Sequence, residues 1–181
     1  MALATLPAGI RLVQEPVESL SKIRGKHMAW QGDSVTELNR ALKAEAAGTS
    51  FEIHATIAPG NAEEVGWKLL ANGATYTLVG YNKVRGEFFV DRTHSGLTRF
   101  SSDFPARTTA PLATDKAPVR FRILVDRSAV ELFAQDGRAT FTNLVYPPAN
   151  TQAIEFYSRN GSSGKVTFDV WRLQSTWGRT N

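Results

Sequence analysis

From residue 50 onward the chain is patterned with a period of two, and short clusters of glycine, asparagine, aspartate and proline interrupt the pattern. Successive side chains of a strand point to opposite sides, so this is the spacing of strands with one buried face. Phe51, Ile53, Ala55 and Ile57 alternate with Glu52, His54 and Thr56. Val119, Phe121, Ile123 and Val125 alternate with Arg120, Arg122 and Leu124, and Val166, Phe168 and Val170 continue the pattern near the end. Further strands are expected at 67–70, 75–81, 87–91, 130–133, 139–145 and 154–158. Turns are expected at Pro59-Gly60-Asn61, 82–86, Asp126-Arg127-Ser128 and 160–164, with tight hairpins at Asn72-Gly73 and Asp136-Gly137. Asn-Gly and Asp-Gly suit hairpins because these residues tolerate positive φ. Many short strands with frequent turn signals predict an all-β, two-sheet antiparallel β-sandwich. Phe121, Ile123, Val125, Val130 and Leu132 should line its core on adjacent strands.

The pattern divides the chain into a lead-in at 1–30, a sandwich at 31–175 and a polar tail at 176–181. In the lead-in, Leu12, Val13, Val17, Leu20 and Ile23 form an apolar strip that should pack on something. Residues 33–48 give conflicting signals. Ser34 with Glu37 has the spacing of a capping box, Val35, Leu38, Ala41 and Leu42 share a helical face, and Gly48 could end the helix. The family resemblance given below favours extended chain, and the expectation here leans to strand.

Several function classes are excluded or disfavoured. The chain has no cysteine, which removes disulfides, thiolate metal sites and cysteine nucleophiles. His27, His54 and His94 are not spaced as metal ligands, so neither a metal nor another cofactor is expected. The formal net charge is +4, but the basic residues are scattered among acids, so no nucleic-acid partner is expected. No apolar run reaches the roughly 18 residues of a membrane helix, so no membrane partner is expected. Residues 1–9 lack the layout of a signal peptide, which leaves the localisation of a parent protein unassigned.

The segment Gly86-Glu87-Phe88-Phe89-Val90-Asp91-Arg92-Thr93-His94-Ser95-Gly96 resembles a signature of glycoside hydrolase family 32. So does the run from Leu124 through Val125-Asp126-Arg127-Ser128, Glu131-Leu132-Phe133 and Asp136-Gly137-Arg138 to Phe141-Thr142-Asn143. Leu12-Val13-Gln14-Glu15-Pro16-Val17, with Leu20 and Arg24, is similar to the connection that follows the catalytic propeller in that family. The family includes levanases, inulinases, invertases and sucrose-phosphate hydrolases, built from a five-bladed β-propeller and a C-terminal β-sandwich. Its catalytic carboxylates sit in propeller motifs, an Asn-Asp-Pro-Asn, an Arg-Asp-Pro and a Glu-Cys segment, and this sequence contains none of the three. The resemblance therefore implies a sandwich module without catalytic residues of its own, with the catalytic propeller as partner in cis or in trans. Self-association through the lead-in strip is a further expectation.

An autonomous module that binds fructose units of levan or inulin is the alternative reading. Sugars are held by acceptors from carboxylates, by forked donors from arginine and by apolar faces. Two strand ends carry Asp-Arg followed by a hydroxyl, Asp91-Arg92-Thr93 and Asp126-Arg127-Ser128. The candidate sugar-binding residues are Glu87, Asp91, Arg92, Asp126, Arg127 and Glu131. Trp67, Tyr76, Tyr81 and Tyr157 could supply faces, and core filling or turn chemistry explains the same residues without a ligand.

Overall fold

The structure, a computed structural model, describes residues 1–6, 9–44, 48–114 and 118–176. Strands β1 (Ala2–Leu6) and β2 (Gly9–Val13) form a two-stranded ribbon. A 3-10 helix at Glu18–Ile23 then leads into β3 (Arg24–Gly32) and helix α1 (Val35–Ala44). Next come β4 (Ser50–Ile57), β5 (Glu64–Asn72), β6 (Thr75–Asn82), β7 (Glu87–Asp91) and β8 (Arg107–Pro111). The chain ends with β9 (Val119–Asp126), β10 (Ala129–Ala134), β11 (Ala139–Leu144), β12 (Ala153–Arg159) and β13 (Val166–Leu173).

Two antiparallel sheets make the sandwich. The six-stranded sheet runs β11-β10-β9-β4-β13-β3 and the five-stranded sheet β12-β5-β6-β7-β8. Period two dictates what lies between them. Phe51, Ile53, Ile57, Phe121, Ile123, Val125, Val130 and Leu132 are all buried. The register sets Ile123 beside Ile53 and Leu132, and Val125 beside Phe51 and Val130. Trp67 bridges the layers, with its ring centroid 5.0 Å from Phe156 on its own sheet and 4.7 Å from Phe168 on the other. Phe88 meets Phe121 across the same gap at 5.3 Å. Trp67 and Tyr81, two of the expected sugar faces, are thus core residues.

Residues 35–44 are helical, which corrects the lean to strand: local propensity prevails. Ser34 caps the helix as its sequence signal suggests, with Oγ accepting from the Glu37 N–H at 3.3 Å. Leu38 and Leu42 are buried in the core. The helix also closes an edge. Asn39 donates from Nδ2 to the Phe156 carbonyl at 2.8 Å and accepts from the Phe156 N–H at 2.7 Å. One amide side chain thereby stands in for a neighbouring strand along the otherwise open β12.

The six-stranded sheet begins at Arg24, so part of the expected lead-in is its edge strand, with Met28 and Trp30 packed against the core. Ahead of it, the lead-in is strapped across the β10–β11 hairpin. The Gln14 N–H donates to the Gly137 carbonyl at 3.0 Å, and Thr140 donates to the Gln14 side-chain oxygen at 2.7 Å. Gly137 has φ +76°, and a Cβ there would lie 1.9 Å from the Gln14 carbonyl oxygen. Only glycine permits both the turn and the close approach.

Candidate functional site

The six candidate residues fall into two groups on different sheets. Glu87, Asp91 and Arg92 belong to β7 and its exit on the five-stranded sheet, whereas Asp126, Arg127 and Glu131 belong to the β9–β10 hairpin on the six-stranded sheet. The Asp91 carboxylate accepts from the Thr93 N–H at 3.0 Å and the Thr93 hydroxyl at 2.6 Å, which is turn chemistry. Arg92 stacks 4.3 Å over the Phe104 ring, and Glu87 lies 3.7 Å from Arg85. Asp126 accepts from the Ser50 hydroxyl at 2.8 Å, and Arg127 occupies the left-handed turn position with φ +51°. Asp126, Arg127 and Glu131 do share a groove of about 770 Å³, lined also by Leu20, Ile23 and Leu124.

The strongest electrostatic feature lies elsewhere, on the outer side of the six-stranded sheet. Glu52 on β4 is fully buried although it points away from the core. Arg24 reaches it through Nε at 2.7 Å and Nη2 at 2.9 Å, and Arg122 through Nε at 2.8 Å. His54 Nε2 lies 2.8 Å from the same carboxylate. With the proton on Nε2, His54 donates to Glu52, and the 3.2 Å approach of Arg24 to that nitrogen is proximity alone. Burial by itself would push the Glu52 carboxyl up. The hydrogen bonds from His54, Arg24 and Arg122, with the charge of Arg122, outweigh burial and hold it well below the usual carboxylate range. Trp171 on β13 closes the cluster: Arg24 sits 4.2 Å over its ring and His27 stacks on it at 4.7 Å. His27 in turn pairs with Asp169 at 2.8 Å.

A second buried carboxylate, Glu64, sits on the outer side of the five-stranded sheet. It accepts from Arg107 at 2.9 Å and from the Tyr157 hydroxyl at 3.0 Å, and Arg159 approaches to 3.3 Å. Burial pushes the Tyr157 hydroxyl up and the Glu64 charge adds to it, so Tyr157 stays neutral and donates. Arg107 lies 3.5 Å over the buried Phe89 ring.

Sequence reasoning missed both clusters. Glu52 and His54 were expected only as residues alternating with the apolar face of β4, and pairing β4 with β9 sets His54 directly opposite Arg122. Alternating charges on two strongly apolar strands were the available signal. Arg24 could not be anticipated, because its approach depends on the path of the lead-in. Among the described residues, no three His, Asp or Glu side chains are grouped to hold a metal ion.

The family model described as "Glycosyl hydrolases family 32 C terminal" matches residues 19–172. The chain is 33% identical over 183 residues to a levanase of Bacillus subtilis (strain 168), covering 99% of this chain and 27% of that protein. It is 35% identical to a levanase of Bacillus sp. (strain L7) over 176 residues, covering 93% of this chain and 19% of that protein. The crystal structure of an exo-inulinase from Aspergillus awamori superposes with a TM-score of 0.84 at 28% identity, over 98% of this chain and 35% of that one. The chain thus spans about a third or less of these relatives, and in them the matched stretch is one part of a longer enzyme. With its two-sheet architecture and a family match running from the 3-10 helix into the last strand, the chain belongs to the C-terminal domain family of the family 32 glycosyl hydrolases.

Proposed function

We infer that this chain is the non-catalytic β-sandwich module of a fructan- or sucrose-cleaving hydrolase, and that it stabilises and orients a catalytic β-propeller. The fructan class follows the names of its relatives, which are levanases and an exo-inulinase, and the sucrose class that of a sucrose-6-phosphate hydrolase of Staphylococcus xylosus, 26% identical over 159 residues. The observation that carries the reading is the β1–β2 ribbon. Its register sets Leu3 opposite Leu12 and Thr5 opposite Ile10, so Leu3, Ile10 and Leu12 share one face. These three are 75%, 64% and 53% exposed, and the ribbon pairs with no other described strand. A lone two-stranded hairpin is marginal in water. One apolar face and two free edges suit a ribbon that finishes a sheet of the adjoining module. The Gln14 strap and the Arg24–Glu52 cluster then fix the direction in which the ribbon leaves the sandwich.

Co-expression with a fructan-cleaving propeller that lacks its own sandwich tests this reading. The chain should co-purify with the propeller, and the double variant Leu3→Asp/Leu12→Asp should lose the association. Failure of the unaltered chain to associate contradicts the orienting role, and undiminished association of the double variant contradicts the role of the ribbon.

A further inference from the structure

We propose that the outer side of the six-stranded sheet carries a sugar-binding pocket for one neutral fructosyl unit, with Arg120, Arg122, His54, Asp136, Asp169 and Phe133 as its contact groups. The pocket has a volume of about 300 Å³, at the lower end of the range for small-molecule sites. It goes beyond the docking role and takes from that reading only the identity of the sugar.

Strand register builds the floor. His54 lies opposite Asp169 on one side and Arg122 on the other, and Arg122 has a backbone partner in Phe133. One row across the sheet therefore reads Asp169, His54, Arg122, Phe133. The adjacent row places Thr56 between Thr167 and Arg120. Asp136 and Gly137 of the β10–β11 hairpin, with Glu15 of the strapped lead-in, complete the lining.

The chemistry of this lining selects the ligand class. Arg122 is braced by Glu52 through Nε, and Arg120 by Asp136 through Nε and Nη2. A guanidinium has five N–H donors, so bracing orients each fork while leaving donors over. Asp169 binds His27 through Oδ1, which leaves Oδ2 as an acceptor. Thr56 and Thr167 add hydroxyls, and Phe133 puts an aromatic side chain in the lining, the kind of apolar surface that packs on the C–H side of a sugar. Two arginines stand against Asp136, Asp169 and Glu15, so an anionic ligand would meet acids as well as bases. Interleaved donors and acceptors around one apolar ring suit a neutral polyol. The candidate groove by Asp126, Arg127 and Glu131 has no aromatic lining residue among the described residues and serves as the comparison.

The test is an NMR shift titration of the chain with levan- and inulin-derived oligosaccharides, with maltotriose and inorganic phosphate run alongside. Hydrogen bonds to a single neutral ring are weak after water is displaced, so saturable binding is expected with Kd of about 0.1–1 mM. Arg120→Ala and Phe133→Ala should each weaken it by about tenfold, and Arg127→Ala should leave it unchanged. The Arg120 and Asp136 side chains are 44% and 59% exposed, so Arg120→Ala spares the core; Asp169→Asn is the isosteric second variant. The proposal is overturned by no saturation at about 10 mM fructan oligosaccharide. It is equally overturned by pocket variants that bind as tightly as the unaltered chain, by loss of binding in Arg127→Ala, or by tighter binding of phosphate or maltotriose. None of these outcomes alters co-purification with a propeller, so the two readings fail separately.

Discussion

Replacing Glu52 by glutamine keeps the side chain's size and removes its charge from beneath two arginines and a histidine. Glu52 itself has no exposure, whereas Arg24 and Arg122 are 22% and 25% exposed. Removing one partner of a fully buried ion pair costs about 3–5 kcal/mol. Water can reach part of both guanidiniums, so the lower end applies and we expect about 2–3 kcal/mol at pH 7. The pH dependence gives a sharper signature. The folded-state carboxyl is depressed from its ordinary value near 4.5, so its stabilisation is fully present above that value. Below pH 4.5 the unfolded chain binds a proton that the folded chain refuses, and stability falls. The unaltered chain should therefore lose about 1 kcal/mol relative to Glu52→Gln as pH drops from 4 to 3. Urea unfolding followed by tryptophan fluorescence measures both quantities, because Trp67 lies in the core and Trp171 in the cluster. A cost under about 0.5 kcal/mol at pH 7, or a gap between the two proteins that stays constant from pH 5 to pH 3, would refute the reasoning.

Three further outcomes are expected. Ile123→Ala opens a cavity between Ile53 and Leu132 and should cost about 2–5 kcal/mol in the same assay; a cost below about 1 kcal/mol would mean the strand faces are reversed. Gly137→Ala should release the lead-in strap while leaving the sandwich folded, seen as faster proteolysis between residues 9 and 17 with unchanged core fluorescence; equal cleavage rates would contradict the strap. The isolated chain should self-associate through Leu3, Ile10 and Leu12, and sedimentation should show Leu3→Asp/Leu12→Asp to be monomeric; a monomeric unaltered chain would count against it.

How much the sequence disclosed depended on whether a residue's burial is set locally. Strands β9 and β10 were legible because alternation over Val119–Asp126 and the turn at Arg127 are both local signals. The short β8 was not, since Arg107–Pro111 contains no large apolar residue and its burial pattern is mostly open. The β1–β2 ribbon was also missed, because each strand has five residues and only Leu3, Ile10 and Leu12 mark its apolar face. Helix α1 shows the opposite failure. Ser34, Leu38 and Leu42 announced it correctly, and the family resemblance pulled the expectation toward strand. Four of the six candidate residues come from the two Asp-Arg turn motifs, with Glu87 and Glu131 from the strands beside them, whereas the outer-face cluster assembles Arg24, Glu52, Arg122 and Trp171 from four strands. Only the strand order brings those four together.

The proposal that this chain serves a catalytic propeller predicts no hydrolysis by the chain on its own. Its most direct test is fructose release from levan, inulin and sucrose by the isolated chain, by the propeller alone, and by the two joined through residues 1–23. No release is expected from the isolated chain, and release from the joined protein should survive heating longer than that of the propeller alone. Release by the isolated chain that disappears on substituting one of its own carboxylates, such as Glu52, Glu64, Glu87 or Asp126, would contradict it.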